Sequence, residues 1–216
     1  MLGLGVLPLS KLALATLFGL GLTVVLFLGP LVQSYLDDDL PFHSFWHDAL
    51  LVSRGAASLP YLRDYIVAPV AEEIVFRGCM VPIWRHLAQI SPSMTIVLLP
   101  LIFGLSHFHH VPETRAQLGG RLAPALVRGA FQCIYTTVFG MFATWLMLKT
   151  SSVWPCVASH MLCNMMGLPQ VGAIFGSERR RFTQFFLMSA HIVGLFLFGF
   201  LVARFNTSPD IPYFVD

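Results

Sequence analysis

The chain is constrained first by a series of apolar runs, several long enough to cross a bilayer, some of which carry charged groups inside them. The first covers residues 12–32 and is interrupted only by Thr16, Thr23, glycines and Pro30. A helix needs roughly 20 apolar residues to span the hydrocarbon core. This run meets that length, is long for a signal peptide and lacks a clear small-residue cleavage site, so it reads as a transmembrane helix. Lipid offers no hydrogen bonds, so backbone polar groups there must be satisfied within the protein. Composition agrees: 56% of the 216 residues are apolar and 11% are charged, against about 25% charged in a soluble domain. The net charge of +2 gives no reason to invoke nucleic acid. These observations predict an all-α polytopic transmembrane bundle of about six helices embedded in the lipid bilayer. They also predict a single domain over residues 1–216, with its motif core at 65–168.

The second helix is expected at 65–84, the third at 94–107 with a kink at Pro100, the fourth at 129–148, the fifth at 153–168 and the sixth at 183–202. Residues 112–128 read as a polar loop, 45–51 as an interfacial helix, and the tail around Pro209 and Pro212 as irregular. Arg179, Arg180 and Arg181 read as a solvated loop or an anionic-lipid contact. Lysines and arginines divide too evenly between alternate loops to assign an orientation. Cys79, Cys133, Cys156 and Cys163 form no C-x-x-C pair and read as small buried hydrophobes, with Cys163 near His160 as a second option.

A charge at mid-bilayer costs at least about 2.5–3.5 kcal/mol, so it calls for a partner, a cavity or a function. Glu72, Glu73 and Arg77 lie in the second helix. Glu73 and Arg77 are four residues apart and share a face, where they can pair. Glu72 is rotated by about 100° and is left to point into a cavity. The bland alternative is one ionic knot of all three, which calls for a matched second cation. His107 closes the third helix, with His109 and His110 expected at the interface. His160 and Asn164 share a face of the fifth helix, either as interhelical glue or as donors where negative charge develops.

Glu72 and His107 have the chemistry to activate a water, and His160 and Asn164 to hold the oxyanion that follows attack on an amide. Together these groups supply hydrolysis without a covalent intermediate, inside an intramembrane catalytic cavity. Glu72, His107 and His160 also match a two-histidine, one-carboxylate zinc set, although the H-E-x-x-H arrangement is absent.

Glu72-Glu73 with Arg77, then Phe103 with His107, then His160 with Asn164, follow in order the pattern E-E-x-x-x-R, F-x-x-x-H, H-x-x-x-N/D. In this the chain resembles the CAAX prenyl protease type 2 (Ras-converting enzyme) family of glutamate-type intramembrane proteases. Ala68-Pro69 and the run from Ser106 to His110 look like its eukaryotic branch. The resemblance implies a cavity open to the cytosolic leaflet, a multi-pass location in the endoplasmic reticulum membrane, and no metal or other cofactor. It implies removal of the last three residues of prenylated C-a-a-X proteins, Ras-like small GTPases among them. It gives Glu72 and His107 the water, His160 and Asn164 the oxyanion, and Glu73 and Arg77 a supporting role. Eukaryotic members carry more helix ahead of the glutamates than the 71 residues here, so a shortened form or an incomplete gene model is expected. A non-proteolytic membrane scaffold or chaperone, and an ion-linked transporter of the same fold, are the competing readings.

Overall fold

The computed structural model of the chain describes residues 8–40, 59–169, 171–176 and 179–206. The expected interfacial helix at 45–51 and the tail lie outside them. The first apolar run forms two helices, α1 (Leu9–Leu26) and α2 (Leu28–Leu36). Pro30 explains the break at Phe27: it has no N–H to give, and its ring crowds the carbonyl four residues back, that of Leu26. Next comes α3, a continuous helical run over 59–87. It contains Pro69 and Pro82, and π-helical turns at Arg63–Val67 and Ile74–Met80 lie just ahead of them. Wider turns of this kind re-route backbone bonds where the regular ladder fails. Between them lies the regular segment Ala68–Glu73, which carries both glutamates.

Helix α4 (Pro92–Ser106) is N-capped by Ser91, whose side chain accepts from the Met94 N–H. It passes through Pro100 without ending. A 3₁₀ turn, His107–His110, leads directly into α5 (Val111–Gln117). The polar segment read as a loop is therefore partly helical. Pro112 sits in the first turn of α5, where the missing N–H costs nothing. Helix α6 (Leu122–Thr150) also starts earlier than expected, and α7 (Trp154–Met166) and α8 (Arg181–Phe205) complete the run. No strand occurs among the described residues.

Four of these segments, Leu9–Leu26, Pro92–Gln117, Leu122–Thr150 and Arg181–Phe205, are long and apolar enough to cross a membrane. The chain is a multi-pass membrane protein. In the bundle, α4 packs along α6, α7 lies against α1 and the middle of α3, and α2 and α8 pair at the flank. Small residues permit the close approaches. A Cβ on Gly104 would collide with Thr137 Oγ1 of α6, and one on Gly140 would stand 2.8 Å from Pro100 Cβ of α4. Close helix contact through small residues is a common means of association in lipid. At the flank, Arg179 donates twice to the Asp37 carboxylate, at 2.6 Å each. The basic loop is thus tied to the end of α2 through Arg179.

Candidate active site

The site forms where α3, α4, α6 and α7 converge. Glu73 and Arg77 are both buried, and Arg77 Nη1 donates to Glu73 Oε1 at 2.9 Å. The i,i+4 pair expected from the sequence is present. Arg77 also donates through Nη2 to the Gly140 carbonyl at 3.2 Å, which ties α3 to α6. Its guanidinium carbon lies 4.6 Å from the Phe103 ring centroid, 5.9 Å from that of Phe139 and 6.0 Å from that of Phe76. Aromatic faces of this kind stabilise a cation where water is excluded.

One contact, between α7 and α3, has no counterpart in the sequence pattern. His160 Nδ1 lies 2.8 Å from Glu73 Oε1, so one carboxylate oxygen serves both Arg77 and His160. The two residues are 87 positions apart, which helical periodicity does not relate. His160 Nε2 in turn faces Glu72 Oε2 at 3.9 Å. That distance is beyond a hydrogen bond and suits a group held between the two. Glu72 keeps 34% of its side-chain exposure where Glu73 has none. The two glutamates are therefore separated as the 100° turn predicts, one enclosed and one open.

His107 adjoins Phe103 as well. Its ring is 4.9 Å from the Phe103 ring, and that of His160 is 6.3 Å from it, both edge-on. His107 Nδ1 lies 2.8 Å from the Phe103 carbonyl oxygen. A carbonyl only accepts, so Nδ1 carries the hydrogen and the neutral ring presents its lone pair at Nε2. Asn164 donates through Nδ2 to the Asp64 carbonyl at 2.8 Å, anchoring α7 to the start of α3. A carboxamide has two N–H groups, so one bond leaves a second donor. His109 is exposed, and its ring lies 3.8 Å from that of His110, tilted by 40°.

All four cysteines are free thiols, and Cys156 and Cys163 are buried. Among the described residues no group of three or more histidine, cysteine, aspartate or glutamate side chains could hold a metal ion.

A family model described as "Type II CAAX prenyl endopeptidase Rce1-like" matches residues 55–166, a stretch containing every residue of this site. The protein named CAAX prenyl protease 2 of Caenorhabditis elegans is 36% identical over 85% of this chain and 66% of its own length. Its namesake in Homo sapiens is 33% identical over 87% of this chain and 56% of its own length. A probable CAAX prenyl protease 2 of Schizosaccharomyces pombe is 31% identical over 86% and 66%. The chain thus spans less than two thirds of the length of these relatives. No solved structure matches it.

Proposed function

Because the chain belongs to the type II CAAX prenyl endopeptidase Rce1-like family, we propose that it is a membrane endopeptidase that removes the C-terminal tripeptide from prenylated C-a-a-X proteins. One observation carries the proposal. Two adjacent glutamates have opposite environments, Glu73 sealed under Arg77 and His160, and Glu72 open and facing His160 Nε2 across 3.9 Å.

In this reading Glu72 takes a proton from a water that also meets the Nε2 lone pair of His107. A carboxylate within hydrogen-bond reach of a water can act as its general base. The hydroxide attacks the carbonyl carbon of the scissile amide, and the oxygen becomes an oxyanion. His160 Nε2 and the spare N–H of Asn164 donate to it. His160 donates from Nε2 only as the imidazolium, because Nδ1–H is engaged by Glu73. That state gives two cations, Arg77 and His160, against two carboxylates, Glu72 and Glu73. The proton held on Glu72 then passes to the leaving amine, and the tripeptide departs. A location in the endoplasmic reticulum and Ras-like GTPase substrates belong to the same reading, as does a cycle without metal.

The test is cleavage of a farnesylated C-a-a-X peptide by the purified protein beside Glu72→Gln. The variant is expected to lose at least about 100-fold in rate, the lower range for removal of a general base, while accumulating normally in membranes. Activity is expected to survive a strong chelator. Undiminished cleavage by Glu72→Gln would reject the base, and ion flux in proteoliposomes without peptidase activity would favour a transporter.

A further inference from the structure

Helix α6 passes the site and continues beyond it. Gly129 lies against Val111 and Phe108, and Phe139 packs 4.8 Å from the His160 ring. The helix therefore runs from the end of the 3₁₀ turn that starts at His107 down to the level of His160. At 3.6 residues per turn, positions 128, 132, 135 and 139 fall within about 60° of arc. These positions hold Arg128, Gln132, Tyr135 and Phe139. The neighbouring arc holds the exposed Phe131, Ile134 and Val138, which face lipid. The arc packed on α4, the 3₁₀ turn and α5 holds Gly129, against Val111 and Phe108, and Gly140, against Pro100. A third face, neither lipid-facing nor packed on α4, thus bears three polar side chains in line with His160.

Among the described residues, none of these three side chains makes a hydrogen bond or ion pair; the Gln132 carbonyl accepts from Thr136 Oγ1. This is unusual for the arginines of this chain. Arg63, Arg77 and Arg179 are each paired with a carboxylate, and Arg115 and Arg121 with backbone carbonyls. Arg180 and Arg181 also make no side-chain hydrogen bond or ion pair among the described residues, but stand at the head of α8 on the α2 side of the bundle. Arg128 is the uncommitted guanidinium on a helix that reaches the site.

Three residues follow the scissile bond of a C-a-a-X substrate, and the last ends in a free carboxylate. Left unpaired at membrane depth, that charge is costly. Three extended residues span at most about 10 Å. From Phe139, α6 rises about 10 Å to Gln132 and about 16 Å to Arg128. The remaining gap of about 6 Å matches the reach of an arginine side chain. We propose that Arg128, Gln132 and Tyr135 form the binding track for the departing tripeptide, with Arg128 receiving its terminal carboxylate in a bidentate pair. Gln132 and Tyr135 bond the peptide backbone below it. This rests on the endopeptidase reading and adds to it a requirement for a free C-terminal acid, enforced by one residue.

The experiment compares a fluorescent farnesylated C-a-a-X peptide as free acid and as C-terminal amide. Cleavage is measured with the wild-type protein and Arg128→Gln, and binding with the same pair in a Glu72→Gln background. The acid is expected to bind roughly 10- to 100-fold tighter than the amide, the range for one charge-assisted contact. Arg128→Gln is expected to abolish that preference and to raise KM for the acid, with kcat little changed. Arg128→Lys is expected to restore part of the preference, and Tyr135→Phe to weaken both peptides alike. Cleavage with the acid preference intact in Arg128→Gln overturns the track and leaves the endopeptidase standing. An Arg128-dependent acid preference in binding without cleavage by the wild type keeps the track and overturns the endopeptidase. Failure of the wild type to bind or cleave either peptide overturns both.

Discussion

The two sides of the bundle handle polar groups in opposite ways. On the site side, α3 and α7 bury Glu73, Arg77 and His160 together, and each contacts another across a helix boundary or a helical turn. On the flank, α8 has only Leu187 and Gly194 buried over its length and presents Phe182, Phe185, Phe196 and Phe200 outward. The Arg179–Asp37 pair that ties the flank together is partly exposed, at 19% and 36% of side-chain area. Charge inside the protein is fixed by geometry, whereas charge at the edge is shared with solvent. The first sort defines a structure that chemistry can use, and the second fastens a helix end.

This contrast is open to direct test. The largest effect is expected from Glu73→Gln, which leaves a buried guanidinium without its counter-charge. Breaking a buried pair in this way costs about 3–5 kcal/mol. In detergent the variant should show a strongly lowered unfolding midpoint and poor accumulation, which Glu72→Gln should not. Next is Gly104→Ala, which forces a methyl into Thr137 between α4 and α6. Overpacking of this kind costs about 1–3 kcal/mol, and Thr137→Ala, which removes the colliding oxygen, should relieve part of it. The smallest is Asp37→Asn on the flank, expected to change stability by no more than about 1 kcal/mol, less in high salt. If Asp37→Asn destabilised the protein as much as Glu73→Gln does, the distinction between the two sides would collapse.

The order of helices was legible because hydrophobic length is written locally, and the Glu73–Arg77 pair because four residues make a helical turn. The divergence of Glu72 from Glu73 follows from the same arithmetic. Three features were not legible. The bond from His160 to Glu73 joins distant segments and depends on how α7 is set against α3. The tether of Asn164 to the Asp64 carbonyl uses a backbone atom, which no side-chain pattern announces. The helical character of Val111–Gln117 was hidden by polarity: a segment with Pro112, Glu113 and Arg115 resembles a loop when judged by hydropathy, yet proline in a first turn starts a helix readily. Pro30 carried the break between α1 and α2 in plain view, since its effect depends on backbone chemistry more than on how apolar its neighbours are.

Glu73 Oε1 accepts from both Arg77 and His160. Bilayers press on embedded helices from the side and vary in thickness, and most contacts in this bundle are apolar surfaces that slide at little cost. At this one atom, tilting α7 away from α3 breaks the contact between His160 and Glu73 and leaves Arg77 as the other partner of that oxygen. The joint acts as a pin in an otherwise compliant wall, so lateral strain is taken up elsewhere and the spacing of the reactive groups is held steady as the surrounding lipid changes.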